Sequence, residues 1–128
     1  MNRLIWKRIY EKVEENDGFR VFIDRLWARG IKKENASISY WAKEITPTKE
    51  LREEYHKGEI SFEIFSRKYS DELKGNPYFN QFLQKIKEKL KKENVTFVFA
   101  SKTPELSHIP ILRKYIEEKL EEERYKTE

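Results

Sequence analysis

The run Val95-Thr96-Phe97-Val98-Phe99-Ala100 constrains the fold more than any other stretch. It is too short for a helix, rich in β-branched and aromatic residues, and apolar on both faces apart from Thr96. A strand of that kind must be covered on both sides, as the central strands of an α/β sheet are. A second short run, Val21-Phe22-Ile23, ends on Asp24, and Leu4 to Tyr10 reads as a first strand. Val95–Ala100 is expected to run parallel to Val21–Asp24, because polar residues crowd the exits of both. Between the first two strands, Glu11 to Gly18 is polar and closes on the turn signal Asn16-Asp17-Gly18. That connection leaves both a hairpin and a parallel arrangement open, and its shortness favours direct pairing.

Helical periodicity fills the rest of the chain. Ile38, Trp41, Ala42 and Ile45 fall at i, i+3, i+4 and i+7, which predicts a short helix capped near Asn35 or Ser37. Thr46-Pro47 predicts a new helix with Pro47 at its first position, Leu51 and Tyr55 inward, and an end near Gly58. A third carries Phe62, Phe65, Tyr69 and Leu73 on one stripe. Lys74-Gly75-Asn76-Pro77 is a stop-and-start signal, and the helix after it groups Phe79, Phe82, Leu83, Ile86 and Leu90. Ser107 can cap a last helix with Ile109, Leu112, Ile116 and Leu120, beyond which the charged residues 121–128 are expected to fray. Phe65, Tyr69, Phe82, Ile86, Leu112 and Ile116 are the expected core. The sum is one α/β domain over residues 1–128: a small, mostly parallel sheet of about three strands with helices packed against it.

Composition narrows the function classes. The chain has 27 basic and 23 acidic residues, a net charge of +4, and the signs are interspersed, which argues against a dedicated nucleic-acid binder. Cysteine is absent, so disulfides and thiol chemistry are excluded. No apolar run is long enough to span a membrane and no signal core opens the chain, so a cytoplasmic protein is expected. The wealth of Lys and Glu resembles that of thermophile proteins, in which ion-pair networks are common. The two histidines, His56 and His108, lie far apart with no carboxylate cluster, and no Gly-rich phosphate loop or other cofactor motif occurs, so neither metal nor cofactor is expected.

Two loops carry the chemistry that remains. Arg25, Trp27, Arg29, Gly30 and Lys32 follow Asp24, and Ser101 and Lys102 follow the Val95–Ala100 strand. If those strands are parallel neighbours, both loops emerge at the carboxyl edge, where α/β sheets usually bind ligands. The start of the last helix, with His108, is expected to face them across a cleft. Guanidiniums with donors of that kind suit a small phosphate- or carboxylate-bearing ligand. His108 could then act as acid or base, since imidazole titrates near neutral pH. Each residue also has a plainer role: Trp27 and Trp41 as packing residues, Ser101 and Ser107 as turn and cap residues, His108 as a local hydrogen-bonding group. The alternative function is a non-enzymatic regulatory or interaction module that presents the Arg25–Lys33 loop to a protein or nucleic acid.

The chain resembles the YeaO-like branch of a large bacterial and archaeal family of unknown function. The likeness rests on K-R-I-Y at Lys7 to Tyr10, D-G-F-R-V-F-I-D-R-L-W-A-R-G at Asp17 to Gly30, and W-A-K-E-I-T-P at Trp41 to Pro47. It continues through E-L-R at Glu50 to Arg52, F-x-x-K-Y-x-x-E-L at Phe65 to Leu73, and F-V-F-A-S-K-T-P-E at Phe97 to Glu105 with His108 after it. The resemblance implies an α/β domain and marks Asp24, Arg25, Trp27, Arg29, Gly30 and His108 as family positions. Ala28 stands where the family usually has proline. In the last loop Ser101, Thr103, Leu106, Ser107 and Ile109 replace the Glu, Asp, His, Cys and Arg of the wider pattern, leaving Lys102, Pro104, Glu105 and His108 in common.

Overall fold

In the computed structural model, which describes residues 1–127 and side chains as far as Glu123, β1 (Leu4–Arg8), β2 (Phe19–Phe22), β3 (Tyr40–Trp41) and β4 (Val95–Phe99) build one sheet. Its order is β1-β4-β2-β3, and every neighbouring pair is parallel. The Val95–Ala100 run therefore does lie inside the sheet, and all five residues of β4 are buried. Three helices, α1 (Lys49–His56), α2 (Phe62–Lys74) and α3 (Phe79–Leu90), lie between β3 and β4 in sequence, and α4 (Ile109–Thr127) follows β4. Contacts gather into two compact units, Met1–Thr46 with Asn80–Lys102, and Pro47–Phe79 with Thr103 onwards.

In the first unit, α3 covers one face of the sheet. Phe82 lies 6.2 Å from Phe97 of β4 and 6.4 Å from Tyr40 of β3, ring centre to ring centre. Lys85 and Lys89 lay their ammoniums over Tyr40 and Phe19, so the polar side of the helix still contributes stem packing. The other face is covered by loop, not helix. Phe22 and Val98, paired in register, pack with Ile9, Ala28 and Ala36, and with Trp27, Ile31, Ile38 and Trp41 around them.

That second face also holds a buried ionic group. Lys7 of β1, Arg20 of β2 and Asp17 of the turn before it are all under a tenth exposed. Lys7 Nζ donates to both Asp17 oxygens at 3.0 Å, and Arg20 Nη1 donates to one of them at 2.7 Å. Arg20 also donates to the carbonyls of Ala36 and Ser37, both at 3.2 Å. Thr96, the polar exception in the central run, donates its hydroxyl to the Asp17 carbonyl at 2.7 Å. Gly18 follows with φ 66°, so close to the neighbouring strand start that a Cβ there would lie 2.2 Å from the Asn94 carbonyl oxygen. Asn94 holds the same corner with its side chain, accepting from the Arg3 amide and donating to the Asn16 carbonyl.

In the second unit, Thr48 and Ser61 cap α1 and α2, and Ser107 Oγ accepts from the Ile109 amide at the start of α4. Tyr55 of α1 stacks on Phe65 of α2 at 4.4 Å, and Phe79 meets Tyr115 edge-on at 4.8 Å. Leu51, Phe65, Tyr69, Leu73, Leu112 and Ile116 are buried, and the six residues expected as core across the chain all are.

Several expectations are corrected. The parallel α/β sheet expected with about three strands has four. The first two strands are not a hairpin: β4 lies between them and pairs with both. No helix forms over Ile38 to Ile45, where the chain instead makes β3 and a 3₁₀ turn at Lys43–Ile45. The Arg20 guanidinium takes the Ala36 and Ser37 carbonyls that would seed such a helix, and Ser37 has φ 53°, outside the helical region. Pro47 precedes the Thr48 cap of α1 rather than opening the helix. The last helix runs from Ile109 to Thr127, and Glu128 lies outside the described residues.

Two outcomes follow from this packing. Phe82→Ala should lower stability by about 3–5 kcal/mol in a urea melt, because the ring is 1 % exposed and wedged on the sheet. Asp17 supplies the second. Burial pushes its carboxyl up, but hydrogen bonds from Lys7, the Glu14 amide and Arg20, with the Lys7 charge, outweigh burial and hold it below its ordinary 3.8. A depressed carboxyl stabilises the fold fully above its unfolded value, and that contribution is lost as pH falls through the folded value. Asp17→Asn should therefore cost about 3 kcal/mol near pH 7, since it leaves two cations buried without their anion. The gap from wild type should narrow in melts taken below about pH 4.

Candidate functional site

The parallel pairing of β2 and β4 sends both chains out at the same edge. Ile23 N–H donates to the Val98 carbonyl at 3.0 Å, extending the ladder one step beyond β2. Asp24 then closes it: its Oδ2 accepts from the Ala100 amide at 2.8 Å, and its carbonyl accepts from Trp41 Nε1 at 2.7 Å. The carboxylate that ends the strand thus joins the exits of β2 and β4. From there the loop passes Arg25, Leu26 and Trp27, turns through Gly30 and returns to β3.

Packing explains how the loop is held. Trp27 lies 4.9 Å from Phe22 and 5.2 Å from Trp41, ring to ring, and its Nε1 donates to the Ile31 carbonyl at 2.6 Å. Both tryptophans are therefore packing residues. Gly30 has φ 78°, and no atom lies within 4 Å of where a Cβ would be, so glycine serves the backbone turn there and not a close approach. Lys33 and Lys43 lie over the Trp41 ring at 5.1 and 3.8 Å.

Arg25 directly follows Asp24 at this edge, while Lys33 lies farther along the loop, over the Trp27 and Trp41 rings. Arg25 is half-buried, while Arg29, Lys32, Lys33 and Lys102 are exposed. No acid interrupts Arg25 to Lys33. Ser101 is half-buried, and its carbonyl accepts from Arg8 Nε at 2.9 Å. Asp24, Arg25, Trp27, Arg29, Gly30, Lys32, Ser101 and Lys102 thus all belong to the first unit and to loops leaving one edge of its sheet. His108 belongs to the second unit, where its ring meets Tyr69 edge-on at 5.9 Å and its carbonyl accepts the Leu112 amide. Ser107 also lies in that unit as a cap.

Sequence reasoning overlooked two residues at the edge. Arg8, at the end of β1, donates to the Ala100 and Ser101 carbonyls, both at 2.9 Å. Tyr10 stands under the Arg8 guanidinium and donates its hydroxyl to the Arg29 carbonyl at 2.9 Å. The available signal was parallelism: once β1 runs with β4, its exit must join the same edge. Among the described residues no cluster of His, Cys, Asp and Glu could hold a metal, and no helix is long and apolar enough to cross a membrane.

A family model described as the inactive DUF488-N3 subclade matches residues 3–128. The chain is 34 % identical over 110 residues to the uncharacterized protein YeaO of Escherichia coli, covering 86 % of this chain and 93 % of that protein. It is 34 % identical over 105 residues to an uncharacterized protein of Mycobacterium tuberculosis, covering 82 % of this chain and 86 % of that one. No solved structure matches it. The clamp predicts its own test. Asp24→Ala should cost about 1–3 kcal/mol in a denaturant melt, the penalty for stranding the Ala100 amide, whereas Asp24→Asn, which keeps an acceptor, should lose less.

Proposed function

Because the chain belongs to the family described as the inactive DUF488-N3 subclade, we propose that it binds a small phosphate- or carboxylate-bearing ligand at the carboxyl edge of its sheet without turning it over. The observation that carries this reading is the Asp24 clamp. It fixes the exits of two adjacent parallel strands side by side, and with them the Arg25–Lys33 loop and Ser101-Lys102. Edges of this kind are the usual ligand sites of open α/β sheets. Four cations in nine residues, with no acid among them, suit an anion. Membership of a subclade described as inactive favours binding over chemistry and gives no support to an acid–base role for His108.

A second reading is a surface for an acidic protein or nucleic-acid partner. Leu26 favours it, being 56 % exposed beside Arg25. The two separate by saturation. At constant ionic strength, phosphate should raise the melting temperature along a saturable curve, worth about 2.7 kcal/mol at 100 times its dissociation constant. Salting-out also stabilises proteins in phosphate, so the control is Arg25→Gln with Arg29→Gln. Equal responses in wild type and double mutant would remove the small-anion reading and leave the surface reading in front.

A further inference from the structure

We propose that the ligand of this edge is a nucleotide, its base stacked on the exposed ring of Tyr10 and its phosphate met by the neighbouring cations. The inference rests on the anion-binding reading and adds the aromatic half of the ligand. Tyr10 is 47 % exposed, so much of its ring meets solvent. Yet it is fixed at two points. Its hydroxyl donates to the Arg29 carbonyl at 2.9 Å, and the Arg8 guanidinium lies 4.8 Å from its ring centre. Arg8 is fixed in turn by the Ala100 and Ser101 carbonyls. These contacts favour one placement of the ring, and with the Arg8 guanidinium over one of its faces a base would stack on the other. An aromatic face accepts any base, and stacking of this kind is what single-stranded nucleic-acid binders combine with a basic groove.

The rest of the edge suits the phosphate. Tyr10 holds the backbone of Arg29, whose side chain is exposed, and Ser101, held by Arg8, leads directly into the exposed Lys102. A bare phosphate or a carboxylate would use these cations and leave the ring idle. A nucleotide uses both. The same chemistry is offered by a free nucleotide and by a unit of single-stranded nucleic acid; Lys32 and Lys33, also exposed, exceed what one phosphate needs.

The test is titration of the full chain with inorganic phosphate, AMP and a short single-stranded oligo(dT) at one ionic strength, read by calorimetry. AMP should bind about tenfold tighter than phosphate, within the range of one base–aromatic stack. Read as the ratio of AMP to phosphate affinity, Tyr10→Leu should erase that difference, and Tyr10→Phe, which keeps the ring but also loses the hydroxyl bond to Arg29, should retain most of it. Oligo(dT) binding that is much tighter than AMP and falls steeply with salt assigns the ligand to a strand; binding no tighter than AMP assigns it to a free nucleotide. Saturable phosphate binding with no gain for AMP overturns this inference and leaves the anion reading intact. An equal loss for phosphate and AMP in Tyr10→Leu does the same. No saturable response to any of the three removes both readings. Should Tyr10→Leu fail to fold, wild type and Tyr10→Phe decide the comparison of AMP with phosphate.

Discussion

One buried carboxylate organises the sheet. Asp17 binds Lys7 of β1 and Arg20 of β2 through its side chain, and Thr96 of β4 through its carbonyl. Three strands are thereby tied to one residue of the turn that precedes β2. Arg20 carries the connection further, to the Ala36 and Ser37 carbonyls, where the long loop comes back to the sheet. Buried ion groups of this type are poor sources of net stability, because desolvation costs about what the attraction returns. Their use here is positional. A one-residue slip of β1 or β2 would turn Lys7 or Arg20 to the opposite face and leave Asp17 without its partners.

The same group accounts for the largest misreading. Ile38, Trp41, Ala42 and Ile45 have helical spacing, and nothing local contradicts it. What contradicts it is Arg20, remote in sequence, which occupies the carbonyls at the helix's expected start. Where no distant partner intervenes, local patterns were sufficient: β4 from its unbroken apolar run, α2 from Phe65, Tyr69 and Leu73, the α4 start from Ser107. The hairpin expectation failed for a related reason. The place beside β1 is taken by β4, a strand that arrives much later in the chain, and the short polar connection carries no sign of the gap it must leave.

The candidate site was legible in part. Strand exits rich in Arg and Lys are visible in a sequence, and parallel pairing puts the loops after β2 and β4 at one edge. The Asp24 clamp was not legible, since an acid at the end of an apolar run shows only where the strand ends, and here it bonds the Ala100 amide. Arg8 and Tyr10 were missed because their place depends on β1 being parallel to β4. At Gly30 it is the left-handed turn alone that calls for glycine.

The two ends of the sheet differ from its centre in a way that bears on life at high concentration. At one side β3 has two residues, too few for an incoming strand to extend. At the other, the amide of Arg8 is already taken by the Glu11 carboxylate, so the last rung of β1 is spent on the chain's own turn. Parallel sheets with long bare margins invite lateral addition of further chains and, through it, fibrils. A truncated strand on one margin and a carboxylate on the last rung of the other shorten the bare edge open to such pairing.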